Sequence, residues 1–250
     1  MIGNVKPFAP AHSWDRNFFL VMVVLAWLGI GMGFGHDIAN HVAQHQPAYP
    51  LVVHVHAVVF VAWLVLFTVQ VLLIRFKKLP VHQKLGMAMA GLAAMMVVLG
   101  PATALTVQHH GMNQPNADPA FLSIQFTDIL AFAGLVTAGM LFRKVPSAHK
   151  RLMLLATLYI TDAGFARWLA GGVLHWLGNS YWSWWGALYC GPNLLILGAA
   201  AYDLVTRRRL HPVFLAGTAW AFANQMTALT LYFSPAWLVL AKKIIANWPF

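Results

Sequence analysis

Seven long apolar stretches dominate this chain of 250 residues. A bilayer core requires about 20 consecutive apolar residues per helix, and each stretch is close to that length or longer. Charged residues make up 9% of the chain, whereas soluble domains carry about 25%. We therefore predict an all-α fold, a polytopic membrane helical bundle. The seven predicted transmembrane helices cover residues 17–34, 51–74, 83–106, 121–142, 151–176, 184–206 and 212–233.

The basic residues fall in alternate connections between these stretches. Of the 16 Lys and Arg residues, all except Arg167, Lys242 and Lys243 precede the first stretch or lie in the second, fourth and sixth connections. Because Lys and Arg in short loops are retained in the cytoplasm, the N-terminus is predicted to be cytoplasmic and the C-terminus to be on the outer side. Anionic lipid headgroups are the expected partners of these turns. Nucleic acid is not an expected partner, since the basic residues behind the net charge of +10 lie in short turns and not on a folded basic patch.

No linker divides the chain, so residues 1–250 are predicted to form one transmembrane domain. A polar cytoplasmic head, residues 1–16, precedes it. Residues 236–250 form an outer tail, either a short helix in the membrane interface or an extension of the seventh helix beyond Pro235. Alternating glycines at the end of the first helix are expected to let a neighbouring helix approach closely. Aromatic residues around the last outer loop, Tyr189 among them, are interpreted as an interfacial belt.

Several motifs occur in a fixed order along the chain. They are HAVVFVAWLVLFTVQ from His56 to Gln70, His82 with Leu85 and Gly86, HKRLM from His149 to Met153, and Asp203 with His211 and Pro212. As a set they resemble a widespread, functionally uncharacterised family of bacterial multi-pass membrane proteins, over the region from about Val53 to the end of the seventh stretch. The resemblance implies a bacterial origin, and with it a place in the cytoplasmic (inner) membrane. It implies no activity.

One group of candidate residues lies on the predicted cytoplasmic side. His82, His149 and His211 each open a helix that follows a basic turn. The dipole at a helix N-terminus favours neutral imidazole, which is the form that binds metal. With Asp203 and Gln70, these residues are candidates for a cytoplasmic-side cluster. The alternative is that each histidine caps its own helix or contacts headgroups.

Three Asp and Arg residues lie inside predicted helices, away from the helix ends. Asp128, Asp162 and Arg167 are functional candidates, because charges within a bilayer are costly. At a rise of about 1.5 Å per residue, Asp128 and Arg167 reach similar depths on consecutive antiparallel helices. We therefore expect a buried ion pair between them, since either charge alone would be expensive in hydrocarbon.

Histidines concentrate on the predicted outer side. Imidazole is a ligand for iron, copper and zinc, and a haem b with two axial histidines is a recurrent arrangement in helical bundles. The proposed outer ligands are His36, His41, His45, His56, His109, His110 and His175, with His56 and His175 as the axial pair if haem is bound. The alternative is that they are merely polar interfacial residues.

Three function classes remain open on the sequence. The preferred hypothesis is a redox or metal-handling membrane protein with its metal or haem in the outer half. The alternatives are a proton-coupled small-solute transporter and a non-catalytic accessory subunit, in a membrane complex or as a homo-oligomer. Enzymatic activity is left open. A retinal protein is disfavoured because the seventh stretch has no Lys, and intramembrane proteolysis because the chain has no HExxH motif and no evident pair of aspartates.

Overall fold

The computed structural model describes residues 8–9, 11–115 and 117–249, and over these ranges it contains helices and no strands. The first seven residues of the predicted head, with Lys6, lie outside the described residues. A 3₁₀ turn, Pro119–Phe121, precedes the fourth helix. The helices are α1 Asp15–Ala43, α2 Leu51–Arg75, α3 Leu79–Gly111, α4 Leu122–Leu141, α5 Pro146–Tyr159, α6 Asp162–Leu177, α7 Tyr181–Arg207, α8 Pro212–Tyr232 and α9 Pro235–Ala246. The all-α prediction is confirmed.

Long apolar helices make this a membrane protein. Five of the described segments are long and apolar enough to cross a membrane: α1, α2, α3, α7, and α4 with its 3₁₀ turn. The pairs α5–α6 and α8–α9 pass the same test only as bent units, which gives up to seven spans. Many large apolar side chains on α1 to α3 point away from the protein, among them Val58, 69% exposed, and Val98, 73% exposed. Such an exposed apolar surface is typical of a membrane protein.

The two ends of the bundle differ in composition. We call one the basic end: it carries the connections 76–78, 142–145 and 208–211, with their Lys and Arg residues. We call the other the histidine-rich end, which carries the connections 44–50, 112–121 and 178–180.

The predicted fifth transmembrane helix is broken in the middle. Residues 160 and 161 form a turn, and α5 and α6 meet there at 45°. The expectation of one continuous helix over residues 151–176 is wrong. Asp162 is the first residue of α6, where the helix dipole and the unpaired N–H groups favour a carboxylate. Thr161 followed by Asp162 is a helix-start signal that hydropathy does not register.

The chain turns again after α8. The α9 helix lies at 87° to α8, so an extension of the seventh helix beyond Pro235 is wrong and the separate short helix is correct. Ser234 Oγ caps α9 by accepting from the Trp237 backbone N–H at 3.4 Å. The buried face of α9, at Ala241 and Ile245, packs against Leu122 and its neighbours at the histidine-rich end.

Two glycines lie where the backbones of α1 and α6 approach each other most closely, Gly33 in α1 and Gly164 in α6. A Cβ built on Gly33 would lie 1.9 Å from the Gly164 carbonyl oxygen, whereas one built on Gly31 or Gly35 would meet nothing within 4 Å. The expected close approach is confirmed for Gly29 and Gly33, and it holds the start of α6 against α1. The Gly164 backbone cannot move aside for an added methyl group as the end of a flexible side chain could.

Gly33→Ala is therefore expected to separate α1 from α6 and to lower stability by at least about 1–3 kcal/mol, the usual cost of overpacking. Gly31→Ala and Gly35→Ala are the matched controls, because they add the same methyl group to the same helix in open space. They should be neutral or slightly stabilising, since Ala favours helix over Gly. Thermal unfolding in one detergent checks all three variants. Equal losses in Gly33→Ala and Gly31→Ala would contradict the close approach.

Candidate functional site

Two aspartates meet inside the bundle. Asp128 of α4 and Asp162 of α6 have hydrogen-bonded carboxyl groups, and they are only 7% and 6% exposed. Together they are a third of the six acidic residues of the chain. Two negative charges so close together in a low-dielectric interior repel strongly, so one proton is shared between them. The pair is therefore a proton-binding site.

Two tyrosines and one backbone N–H surround the pair. The Tyr159 and Tyr189 hydroxyls donate to Asp128 Oδ1, at 3.1 and 3.0 Å, and both rings are fully buried. The Asp162 carboxylate accepts from the backbone N–H of Ala163 in the first turn of α6. These donors stabilise the one negative charge that remains when a single proton is shared. The interpretation of Tyr189 as part of an interfacial belt is wrong, because the side chain is buried in the bundle and its hydroxyl donates a hydrogen bond to Asp128.

Arg167 does not pair with Asp128. Its Nε lies 3.4 Å from Asp37 Oδ2 in α1, and its guanidinium stacks over the Phe34 ring at 4.4 Å. Both members of this ion pair are exposed, at 42% and 46% of their side chains. The expected buried Asp128–Arg167 pair is wrong, because Asp162 occupies the position beside Asp128 and the shared proton replaces a cation. An aspartate pair is thus present where none was evident in the sequence.

The proposed outer ligands are dispersed over the histidine-rich end. Among the described residues, no three or more His, Cys, Asp or Glu side chains are placed to hold one metal ion. Five of the proposed ligands form hydrogen bonds with separate partners: four of these partners are backbone carbonyls, and the fifth is the Asn40 side chain. His36 Nε2 accepts from Asn40 Nδ2. The other four donate to backbone carbonyls: His41 Nε2 to Pro47, His45 Nδ1 to Ala43, His109 Nδ1 to Ile245 and His110 Nδ1 to Thr106.

His56 and His175 occupy separate aromatic surroundings. The His56 ring stacks on Phe60 at 3.9 Å, and His56 Nδ1 is buried without a hydrogen-bond partner in the described chain. The His175 ring contacts Trp176 edge-on at 5.5 Å. Haem ligation by these two histidines stays a prediction.

An ion-pair network closes the basic end. Arg151 of α5 binds Asp203 of α7 through two hydrogen bonds, Nε–Oδ2 at 2.6 Å and Nη2–Oδ1 at 2.5 Å, and both side chains are buried. Asp15 of α1 pairs with Lys150 at 2.7 Å and with Arg207 at 2.9 Å. We call these five residues the basic-end network. These ion pairs connect α1, α5 and α7. Asp203, predicted to belong to the cytoplasmic-side cluster, is bound to Arg151 in one of them.

The predicted cytoplasmic-side cluster separates into two parts. His211 is the N-cap of α8: its Nδ1 accepts from the Val213 N–H at 3.2 Å, and its Nε2 lies 3.2 Å from Ser147 Oγ. For His211, the capping alternative is confirmed. His82 and His149 lie together elsewhere at the basic end, with ring centroids 6.3 Å apart, and Gln70 Nε2 donates to the His82 carbonyl at 3.2 Å.

The environment of His211 makes stability depend on pH. Burial lowers its pKa from the ordinary 6.5; the Arg151 charge adds to this, Asp203 opposes it, and Arg209 and Arg207 contribute smaller decreases. Below pH 6.5 the unfolded chain binds a proton that the native imidazole does not. The native state therefore loses this contribution to stability as pH falls from above 6.5 to below the lowered pKa.

His211→Asn keeps an oxygen that can cap α8 and removes the titrating group. We expect the melting temperature of the wild type to fall more than that of the variant between about pH 7.5 and about pH 5.5, the direction given by linkage. Parallel melting curves in buffers of equal ionic strength measure the difference. A variant as pH-sensitive as the wild type would contradict this assignment.

The chain matches no known family model, no curated protein and no solved structure. The resemblance to uncharacterised bacterial membrane proteins stays a prediction.

Proposed function

We propose that this protein is a proton-coupled transporter of a small solute, with the Asp128–Asp162 pair as its proton-binding site. The observation that carries the proposal is the position of the pair at the break between α5 and α6. Secondary transporters commonly place their ion sites at interrupted transmembrane helices, where helix ends present unpaired backbone groups. The transport alternative is preferred to a redox role because the acidic residues come together and the outer histidines do not.

The proposal includes a membrane arrangement. We place seven spans in a bacterial inner membrane, with α5–α6 as one broken span, α8 as the last, and α9 along the outer interface. The N-terminus is cytoplasmic and the C-terminus periplasmic. The support is the basic end, because Lys and Arg in short loops face the cytoplasm.

A path to the pair starts at the histidine-rich end. His56 Nδ1, Thr103 Oγ1 and Trp63 Nε1 are buried, and none has a hydrogen-bond partner among the described residues. His56 and Trp63 lie seven residues apart, on one face of α2. Trp63 packs edge-on against Phe132 at 5.0 Å, one turn of α4 from Asp128. Buried polar atoms of this kind bind ordered water, which relays protons from the periplasm to the pair.

The opposite route is closed by charge and packing. The basic-end network joins α1, α5 and α7 below the pair, and Leu154, Leu155 and Leu158 of α5 are fully buried between the two. In the proposed cycle, the pair is loaded with its second proton from the periplasm. A second proton makes the pair neutral, which lowers the cost of moving it against apolar surroundings. The turn at residues 160 and 161 supplies the hinge, since α6 can tilt there without losing α-helical hydrogen bonds.

Two measurements test the proposal. The first is infrared difference spectroscopy, in which the carbonyl stretch of a buried carboxylic acid should be present at neutral pH and lost in the double variant Asp128→Asn with Asp162→Asn. The second is transport into proteoliposomes containing a pH-sensitive dye, where an inward proton gradient should drive uptake from a mixture of small solutes together with internal acidification. Absence of the carboxylic acid band in the wild type would overturn the proton site, and uptake independent of the gradient would overturn the coupling.

A further inference from the structure

The basic end holds a second set of ligand atoms, apart from the aspartate pair. We propose that Gln70 of α2, His82 of α3 and His149 of α5 bind one divalent transition-metal ion of the zinc and copper class. Two imidazoles and one amide oxygen form this set, with room in the coordination sphere for water or a further ligand. Imidazole nitrogen is the preferred ligand of these ions. The proposal does not depend on transport.

His149 is oriented as a metal ligand is. Its Nδ1 donates to the Gly139 carbonyl of α4 at 2.8 Å, and because a carbonyl can only accept, the proton is on Nδ1. In neutral imidazole the lone pair is then on Nε2. Metal-binding histidines usually donate their other ring nitrogen to a carbonyl or carboxylate in this way. His149 therefore presents a fixed, unprotonated nitrogen.

The other two side chains offer atoms that the protein leaves unpaired. His82 Nδ1 and Gln70 Oε1 are buried and have no hydrogen-bond partner within the described chain, and Gln70 is only 7% exposed. Gln70 Nε2 donates to the His82 carbonyl at 3.2 Å, which holds the amide against the turn that carries His82. Buried acceptors without partners are costly, and a cation satisfies both atoms together.

The two rings are neighbours. Their centroids are 6.3 Å apart and their planes meet at 83°. Tetrahedral binding of one ion at about 2.0–2.1 Å from each ligand nitrogen would bring the rings closer together than this, so the proposal includes a movement of the His82 ring towards His149 when the ion binds. Asp203 and His211, the other two members of the predicted cluster, are excluded because each is already bound within the protein. An ion at this site would fasten the α2–α3 hairpin to α5.

Binding is measured on the full chain in mild detergent after chelator treatment. Equilibrium dialysis against Zn²⁺ should give one ion per chain. His82→Ala and His149→Ala should each weaken binding by at least ~10-fold, since losing even an outer-shell partner of a metal site commonly costs ~10–100-fold. Gln70→Leu should weaken binding by less than either histidine variant does. His45→Ala is the matched control, because it removes an exposed histidine at the opposite end and should leave binding unchanged.

A measurement on the wild type guards against variants that do not fold. Electron paramagnetic resonance of the Cu²⁺-loaded protein should show coupling to two imidazole nitrogens. Zn²⁺ binding below one ion per chain, unchanged binding in the double variant His82→Ala with His149→Ala, or a Cu²⁺ spectrum without two nitrogen ligands would overturn the proposal; an ordered water between Gln70 and His82 is then the occupant. Asp128→Asn should bind Zn²⁺ as the wild type does, which separates this site from the transport proposal.

Discussion

Asp162→Asn is expected to abolish proton-driven uptake while leaving the bundle folded. The amide keeps the size of the side chain, and its oxygen still accepts from the Ala163 N–H at the start of α6. It cannot gain or lose a proton, so the pair loses its ability to take up a second one. Stability should change by less than about 1.5 kcal/mol, because the substitution conserves volume and the amide N–H can donate to the Asp128 carboxylate in place of the shared proton. Uptake into proteoliposomes under a proton gradient measures the first effect, and thermal unfolding the second.

Asp37→Asn is the matched control for this experiment. Asp37 is also an aspartate of the α1–α6 region, but its side chain is 46% exposed and it pairs with Arg167 at the surface. The same chemical change there should leave gradient-driven uptake at the wild-type level. Wild-type uptake in Asp162→Asn, or equal losses in both variants, would show that the aspartate pair is not the coupling site.

The membrane helices were predictable because hydropathy is a local property. Most helix positions agree with the predicted stretches to within a few residues, and the alternation of basic connections could be read directly from the chain. The break at residues 160 and 161 was not predicted, since an average over about 20 apolar residues does not register one turn. The helix-start signal of Thr161 and Asp162 was nevertheless present in the sequence.

The partner of Asp128 could not be obtained from depth alone. Counting residues placed Asp128 level with Arg167, but contact also depends on how each helix is rotated and on the bend at the break. The same limit applies to Tyr159 and Tyr189. Their role follows only from the three-dimensional meeting of α4, α5 and α7.

A high number of histidines in one part of the sequence does not by itself predict a metal site. At the histidine-rich end, His41, His45, His109 and His110 bond to backbone carbonyls and His36 bonds to the Asn40 side chain, so these rings are not gathered around one point. At the basic end, the pattern of one histidine per returning helix correctly marked His82 and His149 as neighbours, yet it could not separate them from His211. That separation follows from the contacts of His211, which caps α8 and meets Ser147 Oγ.

Asp203→Leu should give the largest loss of stability in the protein, about 3–5 kcal/mol, the typical effect of removing one partner of a buried ion pair. Arg151 would be left as a buried cation without its bidentate carboxylate, and Arg207 would lose its contact with Asp203 at 3.5 Å. Because the basic-end network joins α1, α5 and α7, the loss should appear in the unfolding of the whole bundle. Chemical unfolding in mixed micelles, or the melting temperature in one detergent, measures it.

The double variant Arg151→Met with Asp203→Leu should recover most of this loss, because an apolar pair of similar volume removes the unpaired charge. Asp37→Leu is the surface control: it breaks a half-exposed ion pair and should cost less than about 1 kcal/mol. If Asp203→Leu were no worse than Asp37→Leu, the Arg151–Asp203 pair would not stabilise the basic end. Closure of the proposed route from the basic end would then have to rest on the leucines of α5 alone. A large loss that the double variant repairs would instead identify the buried charge as its cause.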